Sequence, residues 1–146
     1  YHTVTRFWEC AEADYIAEER HKIGKSIYDI FNTVFSDGDF GFWEERLSYI
    51  CFDMAKSSAE IGKKGRAFSE LEEMCKHVEK FKNFKSIDHT SPLVKGLHYD
   101  ITEAGRSSEE SLASIILHDL NKNQRFKCLE EDARFTAIKE TLEALA

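Results

Sequence analysis

The sequence is poor in the residues that interrupt helices. Of its 146 residues only Pro92 is a proline, and so few breakers favour long helices over a many-turned β fold. No stretch alternates apolar and polar residues for long enough to predict a half-buried strand. The composition, 42% hydrophobic and 12% aromatic, is typical of a folded chain with its own core. We therefore predict a single all-α domain over residues 1–146.

Three further absences narrow the classes of function. No apolar run has the length of a membrane-crossing helix and no signal-peptide pattern opens the chain, so we expect no membrane contact and a cytoplasmic location. The net charge is −7, and an acidic chain is a poor direct binder of nucleic acid, because that affinity depends on neutralising phosphates. Neither a Gly-x-Ser-x-Gly nucleophile elbow nor a Gly-rich phosphate loop is present. The residues therefore predict no enzyme, no cofactor and no catalytic residue.

The cysteines also lack a pattern that points to chemistry. The chain has four, and no Cys-x-x-Cys pair of the kind that announces a zinc site. Three of them fall on apolar helical stripes, so we interpret the set as buried free thiols, with disulfides or a metal site as the alternatives. The four are Cys10, Cys51, Cys75 and Cys128.

The strongest positive signal lies in residues 39–84. Two runs of apolar residues recur there at intervals of three and four, on either side of a turn that contains Gly62. Such spacing predicts two amphipathic helices, and a short turn makes them antiparallel neighbours that pack on each other. The stripes are Trp43, Leu47, Ile50, Cys51 and Met54 in the first helix, and Phe68, Leu71, Met74, Cys75, Val78 and Phe81 in the second.

The segment before this pair, residues 5–35, also has helical spacing. It predicts either one long helix or two helices that meet near Ile23–Lys25, and we favour two because Gly24 weakens a helix interior. A turn over residues 36–39 ends it.

The segment after the pair predicts three further helices. Ser91 and Pro92 suit the start of a short one, and Ser107-x-x-Glu110 reads as a capping box for the next. The last helix begins near Asp132. Consecutive hairpins of this kind favour a short right-handed solenoid, with an irregular bundle as the alternative.

Three segments resemble one protein family, in the order in which that family has them. Residues 39–47 (DFGFWEERL) resemble the opening of a helical hairpin, residues 88–94 (DHTSPLV) the turn after it, and residues 125–138 the closing segment. The family is the helix-turn-helix (XRE-type) transcriptional regulators of Firmicutes that carry a tetratricopeptide-like C-terminal region.

The resemblance implies that this chain is the C-terminal region alone, without the DNA-binding domain. It implies tetratricopeptide-like hairpins that dimerise or sense an effector, and DNA contact only through the missing N-terminal domain. A first residue that is Tyr1 rather than Met, and an acidic charge, agree with this expectation.

Within that hypothesis, a polar stripe beside the apolar face of the Trp43 helix is the candidate ligand groove. Arg46, Tyr49 and Asp53 stand at positions i, i+3 and i+7, and the first helix of each hairpin lines the concave side of a solenoid. Arg46 would pair with a carboxylate of a peptide or small effector, and Tyr49 would supply an amphipathic contact. The alternative is an ordinary solvated flank.

Aromatic residues near the N-terminus are the candidates for a homodimer surface. They are more than one short helix buries alone, so most are core and some form an exposed patch. A dimer would set the spacing of two DNA half-sites. The candidates are Trp8, Tyr15 and Tyr28.

Two histidine-containing features are weaker candidates for a functional site. Glu18-x-x-His21 places a carboxylate and an imidazole on one helix face, as di-iron bundles require, but no second Glu-x-x-His exists. His89 and His98 form either a polar pocket or two surface histidines. We predict no metal site. A regulator's sensor or dimerisation region is thus the first hypothesis, a stand-alone interaction scaffold the second, and a ferritin-like metalloprotein a remote third.

Overall fold

The computed structural model describes residues 15–100 and 110–146. Within them the chain is mostly helical, as predicted. The helices are α1 (Ala17–Val34), α2 (Glu44–Glu60), α3 (Lys64–Asn83), α4 (Leu112–Lys122) and α5 (Ala133–Leu145), with 3-10 turns at Gly41–Trp43 and Gln124–Leu129, and the strands are β1 (Ser86–Asp88) and β2 (His98–Asp100).

The central hairpin is formed by α2 and α3, and the prediction of two packed amphipathic helices is confirmed. Leu47 of α2 and Leu71 of α3 are fully buried between them. Gly62 makes the turn with a φ of +75°, a conformation that other residues rarely adopt. The amide of Lys63 closes the end of α2 by donating to the carbonyl of Ser58 at 2.9 Å.

Helix α1 runs without a break through Gly24, so the predicted division near Ile23–Lys25 is wrong. A glycine in a helix interior costs only about 1 kcal/mol relative to alanine. Gly24 and Ile27 are both buried, and α1 packs along α2. This packing outweighs the poor propensity of one glycine. The part of the prediction that precedes residue 15 lies outside the described residues.

Residues 86–100 form a β hairpin, which the all-α prediction missed. The two strands are antiparallel, with Ser86 opposite Asp100 and Ile87 opposite Tyr99. Turns, and not the predicted short helix, connect them. The helical content of the fold is confirmed, but this segment corrects its description as purely helical.

Side-chain hydrogen bonds explain why no helix begins at Pro92. The hydroxyl of Ser91 donates to the carbonyl of Val34 at 2.6 Å and accepts from the amide of Ser36. The carboxylate of Asp37 accepts from the amide and hydroxyl of Thr90 and the amide of Ser91. The side chain that was predicted to cap a helix therefore fastens the hairpin to the end of α1.

The C-terminal helices begin at side-chain caps. Ser111 caps α4 by accepting from the amide of Ser114, so the predicted capping box began four residues too early; Ser107 itself lies outside the described residues. Helix α5 begins beside Asp132, as predicted, and Asp132 caps it by accepting from the amide of Arg134.

One hydrophobic core joins all of these helices. Helix α5 packs on both α3 and α4, and the 3-10 turn of residues 124–129 packs on α2. Over the ranges 15–100 and 110–146, no helix is long and apolar enough to cross a membrane. The largest fully buried side chains are Phe126, Phe135, Leu47, Leu71, Met74, Ile116, Leu120, Leu129 and Leu142.

Candidate ligand-binding cavity

A cavity of about 700 Å³ lies between α1, α2 and the β hairpin. Its volume falls within the range of small-molecule sites, which are mostly apolar with a few polar groups. The apolar and aromatic lining residues are Ile27, Ile30, Phe31, Val34, Phe35, Trp43, Ile50, Val94 and Tyr99; the polar ones are Glu45, Arg46, Tyr49 and Asp53.

Two helical stripes and the hairpin create this cavity. On α1, Ile27, Ile30, Phe31 and Val34 follow one another at i, i+3, i+4 and i+7, which puts them on one face. That face is only partly covered, since Ile27 is buried whereas 56% of Ile30 is exposed. The apolar stripe of α1 is therefore wider than the surface that α2 offers it, and the remainder forms a wall of the cavity.

The three predicted groove residues, Arg46, Tyr49 and Asp53, all line this cavity. Asp53 forms an ion pair with Lys56 in the next turn of α2. Tyr49 is half-buried, and burial raises the pKa of its phenol, with the charge of Glu45 adding to the shift. Contact of these residues with a ligand stays a prediction.

Glu45 is a fourth polar wall residue, which was not among the predicted groove residues. Its carboxylate is half-buried, and no lysine, arginine or histidine of the described ranges forms an ion pair with it. Burial alone raises the pKa of Glu45. The signal available in the sequence was its spacing: Glu45, Tyr49 and Asp53 recur every four residues and so share a face.

This unpaired carboxylate predicts a measurable pH effect on stability. The folded-state pKa of Glu45 is raised above its ordinary value of 4.5, so folding favours the protonated form and stability falls as the pH rises through the folded-state pKa. We expect Glu45→Gln to raise the free energy of unfolding at pH 7 by less than about 1 kcal/mol, since half the side chain remains solvent-screened. Urea unfolding at pH 7 and pH 4 checks this, because the gain should vanish at the lower pH.

Glu79→Gln is the matched control for that experiment. Glu79 lies exposed on α3, so the same change of charge there should leave the free energy of unfolding nearly unchanged at both pH values. A Glu45→Gln variant less stable than the wild type at pH 7 would contradict the assignment, because it would mean that the ionised carboxylate is stabilised in the fold.

A buried histidine stands behind the hairpin wall. Only 3% of His89 is exposed, and neither ring nitrogen has a hydrogen-bond partner in the described part of the chain. Its ring contacts those of Phe35 and Tyr99, at centroid distances of 5.0 and 5.5 Å, and both of these line the cavity. His98 instead pairs with Asp88 at the surface. The two histidines do not share a polar pocket.

The dimer-surface candidates are in three different situations. Trp8 lies outside the described residues, and Tyr15 is exposed. Tyr28 is half-buried against α3, where its hydroxyl lies 3.0 Å from Nε2 of His77 and donates to Glu73 at 3.3 Å. The hydroxyl of Tyr28 is therefore used within the fold, and a dimer contact through Tyr15 stays a prediction.

Tyr28 belongs to a buried polar network that ties α1, α2 and α3 together. His77 and Glu44 are 2% and 3% exposed, and Nδ1 of His77 hydrogen-bonds to a carboxylate oxygen of Glu44. Glu44 directly precedes Glu45, and Tyr28 directly follows Ile27. The network therefore holds the two helices whose neighbouring residues form opposite walls of the cavity.

The candidate metal residues have separate partners. Glu18 pairs with Lys63 at 3.3 Å, and Nε2 of His21 with Glu70. Across residues 15–100 and 110–146, no three His, Cys, Asp or Glu side chains are grouped so as to hold a metal ion.

Two of the cysteines are buried free thiols, as predicted, namely Cys51 and Cys75. Burial raises the pKa of Cys75 to about 12, so its thiol stays protonated near neutral pH. Cys128 is a free thiol but is exposed, which corrects the prediction for that residue. Cys10 lies outside the described residues.

Comparison of the chain with protein-family models, with curated proteins and with solved structures gave no match.

Proposed function

We propose that this chain is the effector-binding region of a helix-turn-helix transcriptional regulator, and that the effector occupies the cavity between α1, α2 and the β hairpin. The observation that carries the proposal is the cavity itself: about 700 Å³, with aromatic walls and four polar side chains from one helix. The resemblance of residues 39–47, 88–94 and 125–138 to regulators of this type supports the same assignment.

The mechanism we propose is a coupling between cavity occupancy and the arrangement of α1 on α2. These helices contribute opposite walls, so a ligand that contacts both would favour one spacing between them. A ligand shifts such an equilibrium only by its difference in affinity for the two arrangements. In a homodimer that shift would change the separation of two DNA-binding domains and so the affinity for DNA half-sites. No catalytic step and no cofactor is part of this proposal.

We also propose that the fold is a short tetratricopeptide-like array, in which the α4–α5 hairpin stacks on the α2–α3 hairpin. The packing of α5 on α3 supports this proposal. In such an array each hairpin contacts its neighbour and a concave side is left for binding.

An interaction scaffold without a link to transcription is the second candidate. It is favoured by exposed apolar side chains near the cavity, of which Leu93 is 70% exposed. A partner protein would cover them, since clustered apolar surface marks interaction sites. The other two are Ile30 and Leu97.

Filling the cavity with a side chain tests effector binding. We expect the neutral, apolar dye Nile red to bind the wild-type chain saturably, with enhanced and blue-shifted emission, because the walls are aromatic and aliphatic. Val34 is a half-buried wall residue at the end of α1. Val34→Trp should weaken the binding of Nile red by about tenfold or more, since the introduced indole ring takes up cavity volume. Fluorescence titration measures the dissociation constant.

The matched control is Thr33→Trp, one residue earlier on α1, where the side chain is exposed and outside the cavity. It should leave the dissociation constant for Nile red unchanged. Equal weakening by both variants, or by neither, would contradict a binding site in the cavity. The reading frame upstream of Tyr1 tests the link to transcription separately, because the regulator proposal requires a helix-turn-helix domain to be encoded there.

A further inference from the structure

The polar groups of the cavity carry unequal charge. Two carboxylates, Glu45 and Asp53, line it against one guanidinium, Arg46. Asp119 of α4 adds a third negative charge close enough to raise the pKa of Tyr49. Even with the ammonium of Lys56, which pairs with Asp53, counted beside Arg46, these groups leave one negative charge in excess at the cavity.

The positive groups near the cavity are already engaged. Lys56 pairs with Asp53, and Arg46 takes part in an interaction within the chain. Glu45 has no ion-pair partner among the described residues, although its carboxylate is half-buried. A buried charge is stabilised by a partner of opposite sign, and here the open cavity is where such a partner would lie.

Aromatic rings surround the same space. Phe31 and Trp43 lie 5.7 Å apart between ring centroids, and Tyr49 and Tyr99 line the cavity with them. The faces of aromatic rings attract cations, most strongly when the cation has been removed from water. A cavity that combines several rings with an unpaired carboxylate favours a positively charged ligand over a neutral or anionic one.

We propose that the effector is a lipophilic organic cation, a quaternary ammonium or phosphonium ion with aromatic or short alkyl substituents, whose charge pairs with Glu45 and lies against these rings. This inference depends on the proposed effector site and names the chemical class that the site selects. A shielded cation suits the apolar walls better than a primary ammonium, because it forms no hydrogen bonds to water that burial would break.

Tetraphenylphosphonium and tetraphenylborate test this, because the two ions have nearly the same size and shape and opposite charge. Isothermal titration calorimetry of the whole chain gives the affinity of each. We expect tetraphenylphosphonium to bind more tightly by at least about tenfold, a ratio that one charge pair and one cation–π contact can supply. It should also displace Nile red, which places it in the same cavity.

Glu45→Gln should then weaken the binding of tetraphenylphosphonium by about tenfold and the binding of neutral Nile red far less. A far-UV circular dichroism spectrum that matches the wild type shows that the variant is folded. Glu79→Gln alters the net charge equally, outside the cavity, and should have little effect on either ligand. If both variants lost affinity for tetraphenylphosphonium equally, the role of Glu45 would be overturned, because only the overall negative charge of the chain would then attract the cation.

The remaining outcomes separate this inference from the proposal on which it depends. Binding of Nile red together with equal or tighter binding of tetraphenylborate would overturn the selection of cations and leave the effector site standing. Absence of binding by all three compounds would overturn both.

Discussion

Replacing Glu44 with alanine is expected to destabilise the fold by about 3 kcal/mol or more. The carboxylate of Glu44 is buried and hydrogen-bonds Nδ1 of His77, and Lys80 approaches its other oxygen at 3.7 Å. Alanine would leave a buried imidazole nitrogen without its partner and a void where the carboxylate had been. Urea unfolding followed by circular dichroism measures the loss.

Glu73→Ala provides the comparison. Glu73 is on the same network, through the hydroxyl of Tyr28, but 38% of its side chain is exposed. Its carboxylate pairs with Lys76 at 2.8 Å and approaches Nε2 of His77 only at 3.8 Å. Surface pairs of this type contribute about 0–1 kcal/mol. If Glu44→Ala and Glu73→Ala cost the same, the buried Glu44–His77 contact does not hold the three helices together in solution.

This network could not be predicted from the sequence, because its residues lie on different helices. Glu44 and His77 are separated by 33 residues, and periodicity relates only residues of the same helix. The stripe of α3 did contain a hint, because His77 is three residues after Met74 and next to Val78. Helical spacing is compatible with an inward-facing position for His77, which we did not predict, and it does not identify the group that meets the imidazole there.

Only the wall of the cavity that α2 forms was predictable from the sequence. Arg46, Tyr49 and Asp53 share one flank of a strongly periodic helix, and the structure places all three in one wall. Glu45 was missed because an acidic residue in the first turn of a helix has a sufficient reason to be there, namely the helix dipole. Burial distinguishes the two situations, and a sequence does not display it.

The wall that the β hairpin contributes depends on tertiary contacts. The short helix predicted to start at Ser91 and Pro92 would have included Val94, whereas the structure has Val94 in a turn and Tyr99 in strand β2. The decisive interactions join Asp37 and Ser91, which are 54 residues apart. Local signals at Ser91 and Pro92 were typical of a helix start, and long-range hydrogen bonds overrode them, as is common for short elements.

Replacing Leu129 with alanine is the second substitution with a large expected effect, a loss of about 2–5 kcal/mol. Leu129 ends the 3-10 turn of residues 124–129, is fully buried, and belongs to the one core that α2, α3 and α5 share. Truncation would remove apolar contacts and leave a cavity that helices held by several neighbours cannot close. Urea unfolding gives the free energy, and the transition should remain a single one, because the turn packs on α2 and not in a separate C-terminal unit.

Leu93→Ala removes the same atoms from the surface and should change the free energy of unfolding by less than about 0.5 kcal/mol, since 70% of Leu93 is exposed. Two separate unfolding transitions in the Leu129 variant, with the earlier one confined to α4 and α5, would contradict a shared core.

The number of unfolding transitions also bears on function. α2 packs against this turn on one side and forms a wall of the cavity on another. A single cooperative unit would therefore connect ligand binding at α1 and α2 to the C-terminal helices, whereas independent units would confine any ligand-induced change to the N-terminal half.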